Sequence, residues 1–296
     1  MTVTDPSRSA PAGGRRSERN GDELEQLDLV LEQLDRVVIA FSGGADSAFL
    51  AHRANEVLGP ERSHCVTAVS ASLAPEELES CGALAAEWGL SWEPVETFEL
   101  ARPEYVLNDL DRCYHCKSEL MDALAPIAHR RSATVVLGVN VDDLGEYRPG
   151  QRAAAERGAA FPLVDSGLTK ARIRGLSAQL GLLTWDKPAA PCLASRVPHG
   201  TGVTAALLGQ VAAAESALRA LGFRDLRVRH FGETARVEIA PDELGGAVER
   251  REEVVAAVRD AGYREVTLDL EGLRPGNLTR AALGAGTPIT LRRRHS

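Results

Sequence analysis

Apolar residues along the first part of the chain follow two alternating patterns. One face at helical spacing predicts a helix over Glu23–Leu34 and contains Leu24, Leu27, Val30, Leu31 and Leu34. Arg36–Phe41 is instead a short apolar run, typical of a buried parallel strand. The same alternation predicts strands over 65–70, 91–96 and 134–139, and helices over 46–58, 75–88 and 113–129. Strands that alternate with helices indicate an α/β fold whose parallel sheet is covered on both faces.

The pattern changes in the second part of the chain. Asn140–Leu163 shows no clear period and is predicted to be irregular, whereas Thr169 is a candidate cap for a helix that begins near Leu168. Three prolines make Lys187–Gly200 a loop, because proline removes a backbone donor and restricts its neighbour. Beyond Thr204 we predict helix 205–221, strand 225–231, strand 235–240, helix 244–261 and strand 265–270.

These patterns divide the chain into three predicted parts. Residues 1–21 are rich in Ser, Arg, Gly and Pro without periodic apolar positions, so we expect a disordered tail. Residues 22–200 form the predicted α/β domain, and residues 201–296 a smaller α+β domain that would bind substrate or mediate assembly.

Composition narrows the class of protein. The chain has 296 residues, 44% of them hydrophobic, which is enough for a sizeable core. A net charge of -8 argues against general affinity for nucleic acid, because a phosphate backbone is bound by a surplus of Lys and Arg. No apolar run approaches the roughly 20 residues of a membrane span, and no signal peptide is recognisable, so we expect a cytoplasmic protein without membrane contact.

The five cysteines are better candidates for chemistry or metal binding than for disulfides in such a compartment. Cys65 falls in a predicted strand and Cys81 on an apolar helix face, so both are expected to be core residues. Cys113 and Cys116 are three positions apart, close enough to bind one metal centre, and Cys192 is the third candidate. Three thiolates suit a 4Fe-4S cluster with one open iron or a zinc with one open position, and spacing does not decide between them. The alternatives are a redox pair or two unrelated helix thiols at Cys113 and Cys116, and a buried structural cysteine at Cys192.

A glycine-rich turn stands between the first predicted strand and the next helix. It contains Ser42, Gly43, Gly44, Asp46 and Ser47. In this position the turn presents backbone N–H groups and a helix N-terminus to phosphate. The Gly-Lys-Ser/Thr of a Walker loop is absent. The turn resembles the PP-loop of ATP pyrophosphatases, of the adenine nucleotide α hydrolase-like fold, which implies binding of ATP with Asp46 helping to hold Mg²⁺. The alternative is a plain Gly-Gly turn with an Asp cap.

Four separated blocks together resemble the LarE family of ATP-dependent sulfur transferases, in its three-cysteine form. They are Ser42–Ser47, Arg112–Lys117, Gly138–Asp143 with Arg148–Gly150, and Lys187–Gly200. The resemblance implies that ATP adenylates a carboxylate of pyridinium-3,5-biscarboxylic acid mononucleotide and that sulfur displaces AMP, in nickel-pincer nucleotide synthesis. In single-cysteine relatives the cysteine that matches Cys192 donates the sulfur. With all three cysteines present, the resemblance favours a 4Fe-4S cluster on Cys113, Cys116 and Cys192 that carries the sulfur.

Other side chains complete the expected site. The resemblance implies that Glu215 binds Mg²⁺ and that Arg227 and Arg229 bind the acceptor phosphate; as alternate residues of a strand, these two arginines can converge on one anion. Ser195 and Arg196 are expected on the acceptor too, and Arg196 would also favour the Cys192 thiolate. The alternative for the strand arginines is a solvated face.

Two rival functions stay open at this point. Another PP-loop enzyme, such as a tRNA thiolase or an amide-forming synthetase, would need a basic surface or a glutamine-hydrolysing domain. A non-catalytic nucleotide or metal sensor would bind ATP without releasing pyrophosphate. The expected partners are a small nucleotide, a sulfide or other sulfur donor, and further copies of the chain in a homo-oligomer of a size that the sequence leaves open.

Overall fold

A computed structural model describes residues 14–145, 148–188 and 190–274, with side chains from Glu23 onward. Residues 1–13 of the expected tail and 275–296 of the expected second domain lie outside this range.

The larger sheet has four parallel strands, as the alternating pattern predicts. They are β1 (Val37–Ala40), β2 (Ser63–Val69), β3 (Ser91–Glu96) and β4 (Thr134–Leu137). Their order is β3-β2-β1-β4, so β1 is paired on both sides. Val38 of β1 is opposite His64 of β2 and Val135 of β4. All four carboxyl ends therefore meet at one edge, where loops of parallel sheets place binding residues.

Helices cover both faces of this sheet. They are α1 (Gly14–Leu34), α2 (Ala45–Leu58), α3 (Pro75–Glu87), α4 (Pro103–Val106), α5 (Arg112–Arg131), α6 (Pro149–Glu156), α7 (Pro162–Asp165) and α8 (Lys170–Gln179). One core cluster packs Phe49 of α2 and Ile173 of α8 against β1. A second cluster, on the other face, includes Leu124 of α5 and Ala154 of α6. The expected two-sided α/β sheet is confirmed.

Three elements differ from the predictions. Helix α1 begins at Gly14, before the predicted start at Glu23. The stretch expected to be irregular contains α6, which starts on Pro149; Gly150 lets it approach α5, since a Cβ there would lie 3.0 Å from the Cys113 carbonyl oxygen. The last predicted helix is two helices, because the backbone leaves the helical conformation at Arg250.

The second sheet has three strands and follows α9 (Ala205–Ala220). They are β5 (Leu226–Phe231), β6 (Thr234–Ile239) and β7 (Glu265–Leu268), with α10 (Leu244–Glu249) and α11 (Arg251–Asp260) between β6 and β7. β5 pairs antiparallel with β6, and β6 parallel with β7. Leu218 of α9 and Val258 of α11 pack on this sheet in a core cluster of their own. The smaller α+β unit is confirmed, and the exact domain division stays a prediction.

Two helix caps anchor the connections. The Thr169 hydroxyl accepts a hydrogen bond from the Arg172 amide at 3.3 Å, as predicted, and Thr204 caps α9 in the same way through Leu207. Within the described ranges, no helix combines the length and apolarity needed to cross a bilayer.

Candidate functional site

The glycine-rich turn joins β1 to α2, in the strand-loop-helix arrangement that was predicted. Gly44 precedes the first residue of α2. Gly43 has a φ of 65°, and a Cβ on it would lie 2.9 Å from the Cys81 Sγ. Glycine is required at position 43 for both reasons, because L side chains disfavour positive φ and no room exists for one.

Hydroxyl groups close the loop from inside. The Oγ atoms of Ser42 and Ser47 are 3.0 Å apart, and Ser47 Oγ donates to the Gly44 carbonyl at 3.1 Å. In the described contacts, the amides of Gly43 and Gly44 donate to no protein group. The first turn of α2 leaves further amides without intrahelical acceptors. This arrangement can bind the phosphates of a nucleotide.

Asp46 lies in the first turn of α2 with one oxygen lacking a partner. Its Oδ2 accepts a hydrogen bond from Asn140 Nδ2 at 3.2 Å, while Oδ1 is buried without one. Burial raises the pKa of the Asp46 carboxyl, and Lys170 opposes that shift. An unpartnered buried carboxylate oxygen beside a phosphate loop fits a hard cation such as Mg²⁺. The expected role of Asp46 is consistent with this environment.

The end of β4 brings a second set of groups to Asp46. Gly138 makes the approach possible, because a Cβ on it would lie 2.8 Å from both N and Cα of Ser47. Asn140 Oδ1 accepts from the Asp142 amide at 3.0 Å, which orients its Nδ2 toward Asp46. The sequence placed Gly138 and Asn140 in a recognised block but gave neither a role.

Three cations lie near the loop, and the sequence pattern predicted a role for none of them. Lys170 and Arg174, in α8, both act on the Asp46 carboxyl. Lys187 Nζ lies 3.8 Å from the position of a Gly43 Cβ and forms an ion pair with Glu77 at 2.9 Å. The signal that could have found Lys170 is its place directly after the predicted cap residue. Positive charge near the loop favours a polyphosphate ligand.

The three expected thiols come from two distant segments into one neighbourhood. Cys113 and Cys116 lie in the first two turns of α5, and Cys192 precedes a 3-10 turn over Leu193–Arg196. Burial raises the pKa of the Cys113 and Cys116 thiols, and the next cause in each is the charge of Cys192. Cys113 keeps surface exposure although protein atoms crowd its Sγ. Among the described residues, no three His, Cys, Asp or Glu side chains are arranged to hold a metal ion.

Asn108 and Arg112 attach the Cys192 segment to α5. Asn108 is fully buried, and its Nδ2 donates to the carbonyls of Pro198 at 2.8 Å and Thr201 at 2.9 Å. Arg112 donates to the Asn108 Oδ1 and, at 2.8 Å, to the Ala194 carbonyl. The buried Arg112 guanidinium, together with Lys117, opposes the rise that burial causes in the pKa of Cys113. Sequence reasoning missed Asn108, because its partners are about ninety positions away along the chain.

Arg196 makes contacts within the protein that the sequence did not predict, and its expected contact with the acceptor stays a prediction. Its guanidinium forms a buried ion pair with Glu215 and donates to the Pro191 and Cys192 carbonyls, so it holds the loop backbone. Both Glu215 oxygens are occupied by Arg196, by Arg219 and by the Val228 amide. A carboxylate has about four acceptor positions, and all are in use here. The Mg²⁺ role of Glu215 stays a prediction. Among the described contacts, no hydrogen-bond partner links Glu215 to Asp46, the other residue that was expected to hold Mg²⁺.

The two strand arginines are both buried, yet their surroundings differ. Arg229 pairs with Glu238 at 2.7 Å and donates to the Ser195 carbonyl at 2.9 Å, which connects β5 to the Cys192 segment. Arg227 has no carboxylate at ion-pair distance among the described residues, and burial followed by the charges of Arg229 and Arg196 lowers its pKa to about 10. Arg227 is therefore the cation best placed to gain from an anionic ligand.

The remaining cysteines are core residues, as expected. Cys65 and Cys81 are both buried in the cluster that packs on β1. Burial raises the pKa of Cys65 to about 12, so this thiol stays protonated. Neither lies with Cys113, Cys116 and Cys192, although the Cys81 Sγ packs against Gly43 of the phosphate loop.

Comparison with known proteins gives the family. No family model matches the chain. An uncharacterised protein of Synechocystis sp. is 45% identical over 87% of this chain and 97% of its own length. The pyridinium-3,5-bisthiocarboxylic acid mononucleotide synthase of Lactiplantibacillus plantarum is 36% identical over 87% and 95%. An uncharacterised protein of Methanocaldococcus jannaschii is 26% identical over 80% and 90%. The chain belongs to the LarE family, that of the pyridinium-3,5-bisthiocarboxylic acid mononucleotide synthases.

Proposed function

We propose that this protein uses ATP to activate a carboxylate of pyridinium-3,5-biscarboxylic acid mononucleotide and replaces one of its oxygens by sulfur. The observation that carries the proposal is the common location of two segments. The phosphate loop follows β1, and the Leu193 amide donates to the Ser72 carbonyl just beyond β2, at 2.8 Å. Since β1 and β2 are parallel neighbours, the Cys192 segment lies at the same sheet edge as the loop.

The first half-reaction forms an acyl adenylate. A carboxylate oxygen of the acceptor attacks the α-phosphorus of ATP, the bond to the β-phosphate breaks, and pyrophosphate leaves. The free amides of Gly43 and Gly44 and the cations Lys170 and Lys187 would bind the departing pyrophosphate. Mg²⁺ bound at Asp46 would neutralise phosphate charge.

The second half-reaction delivers sulfur. The outer sulfur of a persulfide on Cys192 would attack the acyl carbon, and the carbon–oxygen bond to AMP would break. The thiolate of neighbouring Cys113 or Cys116 would then attack the Cys192 Sγ. That attack breaks the sulfur–sulfur bond, releases the thiocarboxylate and leaves a disulfide that a reducing thiol must reopen before the next turnover. Arg227 would bind the acceptor phosphate, since it is a buried cation with no carboxylate at ion-pair distance among the described residues. Arg196, Arg229, Asn108 and Arg112 hold the Cys192 segment through its backbone carbonyls.

A 4Fe-4S cluster on Cys113, Cys116 and Cys192, or zinc in its place, stays a prediction. The three thiols are neighbours, but as placed they do not fit a metal centre, because no three ligands converge among the described residues. No step above depends on a metal at the thiols. Iron and acid-labile sulfide in anaerobically purified protein, with a visible charge-transfer band, would support the cluster. Zinc alone would exclude it and leave adenylation untouched.

The decisive experiment separates the two half-reactions. We expect pyrophosphate release that depends on the pyridinium acceptor, and a thiocarboxylate product by mass spectrometry. Cys192→Ser should abolish the thiocarboxylate but still release pyrophosphate. Cys65→Val, which removes a buried thiol of similar size, is the matched control and should retain both. ATP binding without pyrophosphate release would identify a sensor instead, and release that depends on tRNA would identify a tRNA thiolase.

A further inference from the structure

Tyr105, in α4, has a hydroxyl without a partner. The residue is fully buried, and its hydroxyl oxygen forms no hydrogen bond. Tyr263, a second buried tyrosine, has its hydroxyl 3.2 Å from His230 Nδ1. Burying a hydroxyl without a partner is unfavourable, because its hydrogen bonds to water are lost and not replaced, so such a group calls for an explanation.

Two of the three clustered cysteines lie near this hydroxyl. The tyrosine packs in one cluster with Leu193 and Ala194, and Cys116 and Cys192 pack against the same cluster. Burial raises the pKa of the Tyr105 hydroxyl far above its usual range, and the charge of Cys192 is the next cause, with Cys116 also contributing. The hydroxyl therefore stays protonated at any physiological pH and is available as a donor toward these sulfur atoms.

Neighbouring oxygens do not supply the missing acceptor. Ser72 lies beside the Tyr105 hydroxyl without reaching hydrogen-bond geometry, and its own hydroxyl donates to Glu99 at 2.5 Å. The buried Glu99 carboxylate also accepts from Ser70 and Thr97. The hydroxyls of Ser70, Ser72 and Thr97 are therefore paired with Glu99, and none of them forms a hydrogen bond with Tyr105. A thiol is a weak acceptor, whereas an anionic sulfur is a stronger one.

We propose that the Tyr105 hydroxyl donates a hydrogen bond to the transferable sulfur atom that is stored at the cluster of Cys113, Cys116 and Cys192. The inference rests on the proposed function and adds a binding residue for its sulfur. The ligand is the anionic outer sulfur of a persulfide on Cys192. A polysulfide or another sulfane sulfur donor would form it by passing one sulfur atom to the Cys192 thiolate and leaving one sulfur shorter. The hydrogen bond stabilises the stored anion, and the proton stays on the tyrosine oxygen.

The test compares sulfur retention in two tyrosine variants. Wild type, Tyr105→Phe and Tyr263→Phe are loaded anaerobically with polysulfide or, separately, with sulfide, and are then desalted. Cyanide-reactive sulfur reports the persulfide. Loading with sulfide alone is the blank, because sulfide forms no persulfide without an oxidant. A hydrogen bond to an anion slows its loss, so Tyr105→Phe should release the persulfide sulfur at least about tenfold faster than wild type. Tyr263→Phe should match wild type.

Two further measurements keep the outcome clear. Thermal unfolding should show Tyr105→Phe at least as stable as wild type, because the lost hydroxyl has no partner in the unloaded protein. In wild type itself, the tyrosine Raman doublet should shift toward a strong donor on loading, and this change should be missing in Tyr105→Phe.

The proposal is overturned if Tyr105→Phe retains cyanide-reactive sulfur as long as wild type, or if the Raman doublet of wild type is unchanged by loading with polysulfide. Its failure is distinct from failure of the proposed function, which is judged by pyrophosphate release from the wild-type protein.

Discussion

Arg196 and Glu215 form a buried two-point ion pair, with Arg196 Nε 2.8 Å from Oε1 and the second guanidinium nitrogen 3.0 Å from Oε2. The pair fastens the segment that contains Cys192 to α9 of the smaller unit. The same guanidinium donates a hydrogen bond to the Cys192 carbonyl. The position of the Cys192 thiol therefore depends on α9, which packs on the second sheet and not on the sheet that leads into the phosphate loop.

Removing one partner of this pair should destabilise the protein strongly. Glu215→Ala leaves Arg196 buried without its counter-charge, a change that typically costs about 3–5 kcal/mol. Chemical denaturation followed by circular dichroism measures the loss, which should not depend on Mg²⁺. Glu253→Ala, which breaks the exposed Arg250 pair, should leave the midpoint unchanged. A loss seen only with Mg²⁺ present would show that Glu215 is a metal ligand after all.

Gly43→Ala should abolish ATP binding. The substitution adds strain at a positive φ and a contact of 2.9 Å with the Cys81 sulfur. Three comparisons separate these effects by calorimetry with ATP. Gly44→Ala, whose Cβ would be 3.7 Å from the Ser42 Oγ, should retain most affinity. Gly59→Ala carries the strain without a contact and should lower stability only. Adding Cys81→Ala to Gly43→Ala should restore part of the binding, and no recovery would mean that strain dominates.

Gly138→Ala should uncouple β4 from the phosphate loop. Its Cβ would meet the Ser47 backbone at 2.8 Å, so either the strand or α2 must move. We expect a loss of ATP affinity of at least about tenfold, which corresponds to about 1.4 kcal/mol. Gly175→Ala, in the open surface of α8, is the control and should stabilise slightly, because alanine favours helix. Equal affinity in both variants would contradict the close packing.

The pH dependence of the free energy of unfolding should report the raised pKa of the Asp46 carboxyl. Burial raises its folded pKa above the ordinary 3.8, so the native state binds this proton more tightly than the unfolded chain. Stability from this group therefore falls as pH rises from 3.8 through the raised pKa. Without Mg²⁺, Asp46→Asn should be more stable than wild type at neutral pH and equal to it in acid. Saturating Mg²⁺ with ATP should reverse the order, and an unchanged order would argue against a cation at Asp46.

Thiol reactivity should divide the five cysteines into two sets. Cys113, Cys116 and Cys192 reach the surface at least partly, whereas Cys65 and Cys81 are buried. Alkylation of the native, metal-free protein with mass mapping should label the first set alone, and unfolding should add the other two. Cys116 should react most slowly of the first set, because burial raises its thiol pKa to about 12. Native labelling of Cys65 would contradict its burial.

What the sequence predicted well was local. The turn around Gly43 and the Thr169 cap follow from residues next to each other, and the parallel sheet follows from periods of apolar residues. The contacts of Asn108 and Tyr105 could not be predicted, because they join segments that approach only after folding. The start of α1 was set too late, since residues near Gly14 show no apolar period, although the helix includes them.

Charge pairing was the other element hidden from the sequence. Alternation along β5 indicated a common side for Arg227 and Arg229, yet it did not show that Glu238 neutralises only one of them. The same holds for Arg196, whose partner lies on a different helix. A motif gives residue types, and only the fold assigns each cation its counter-ion.

The contact between Cys81 and Gly43 also bears on protein engineering. Substitutions in a hydrophobic interior are usually tolerated when they preserve the side-chain volume, but a residue bulkier than Cys81 would press on Gly43, in the turn that we propose binds ATP. Thermostabilised versions of this protein should therefore be designed with that site held fixed, since a gain in melting temperature there would come at the expense of nucleotide affinity.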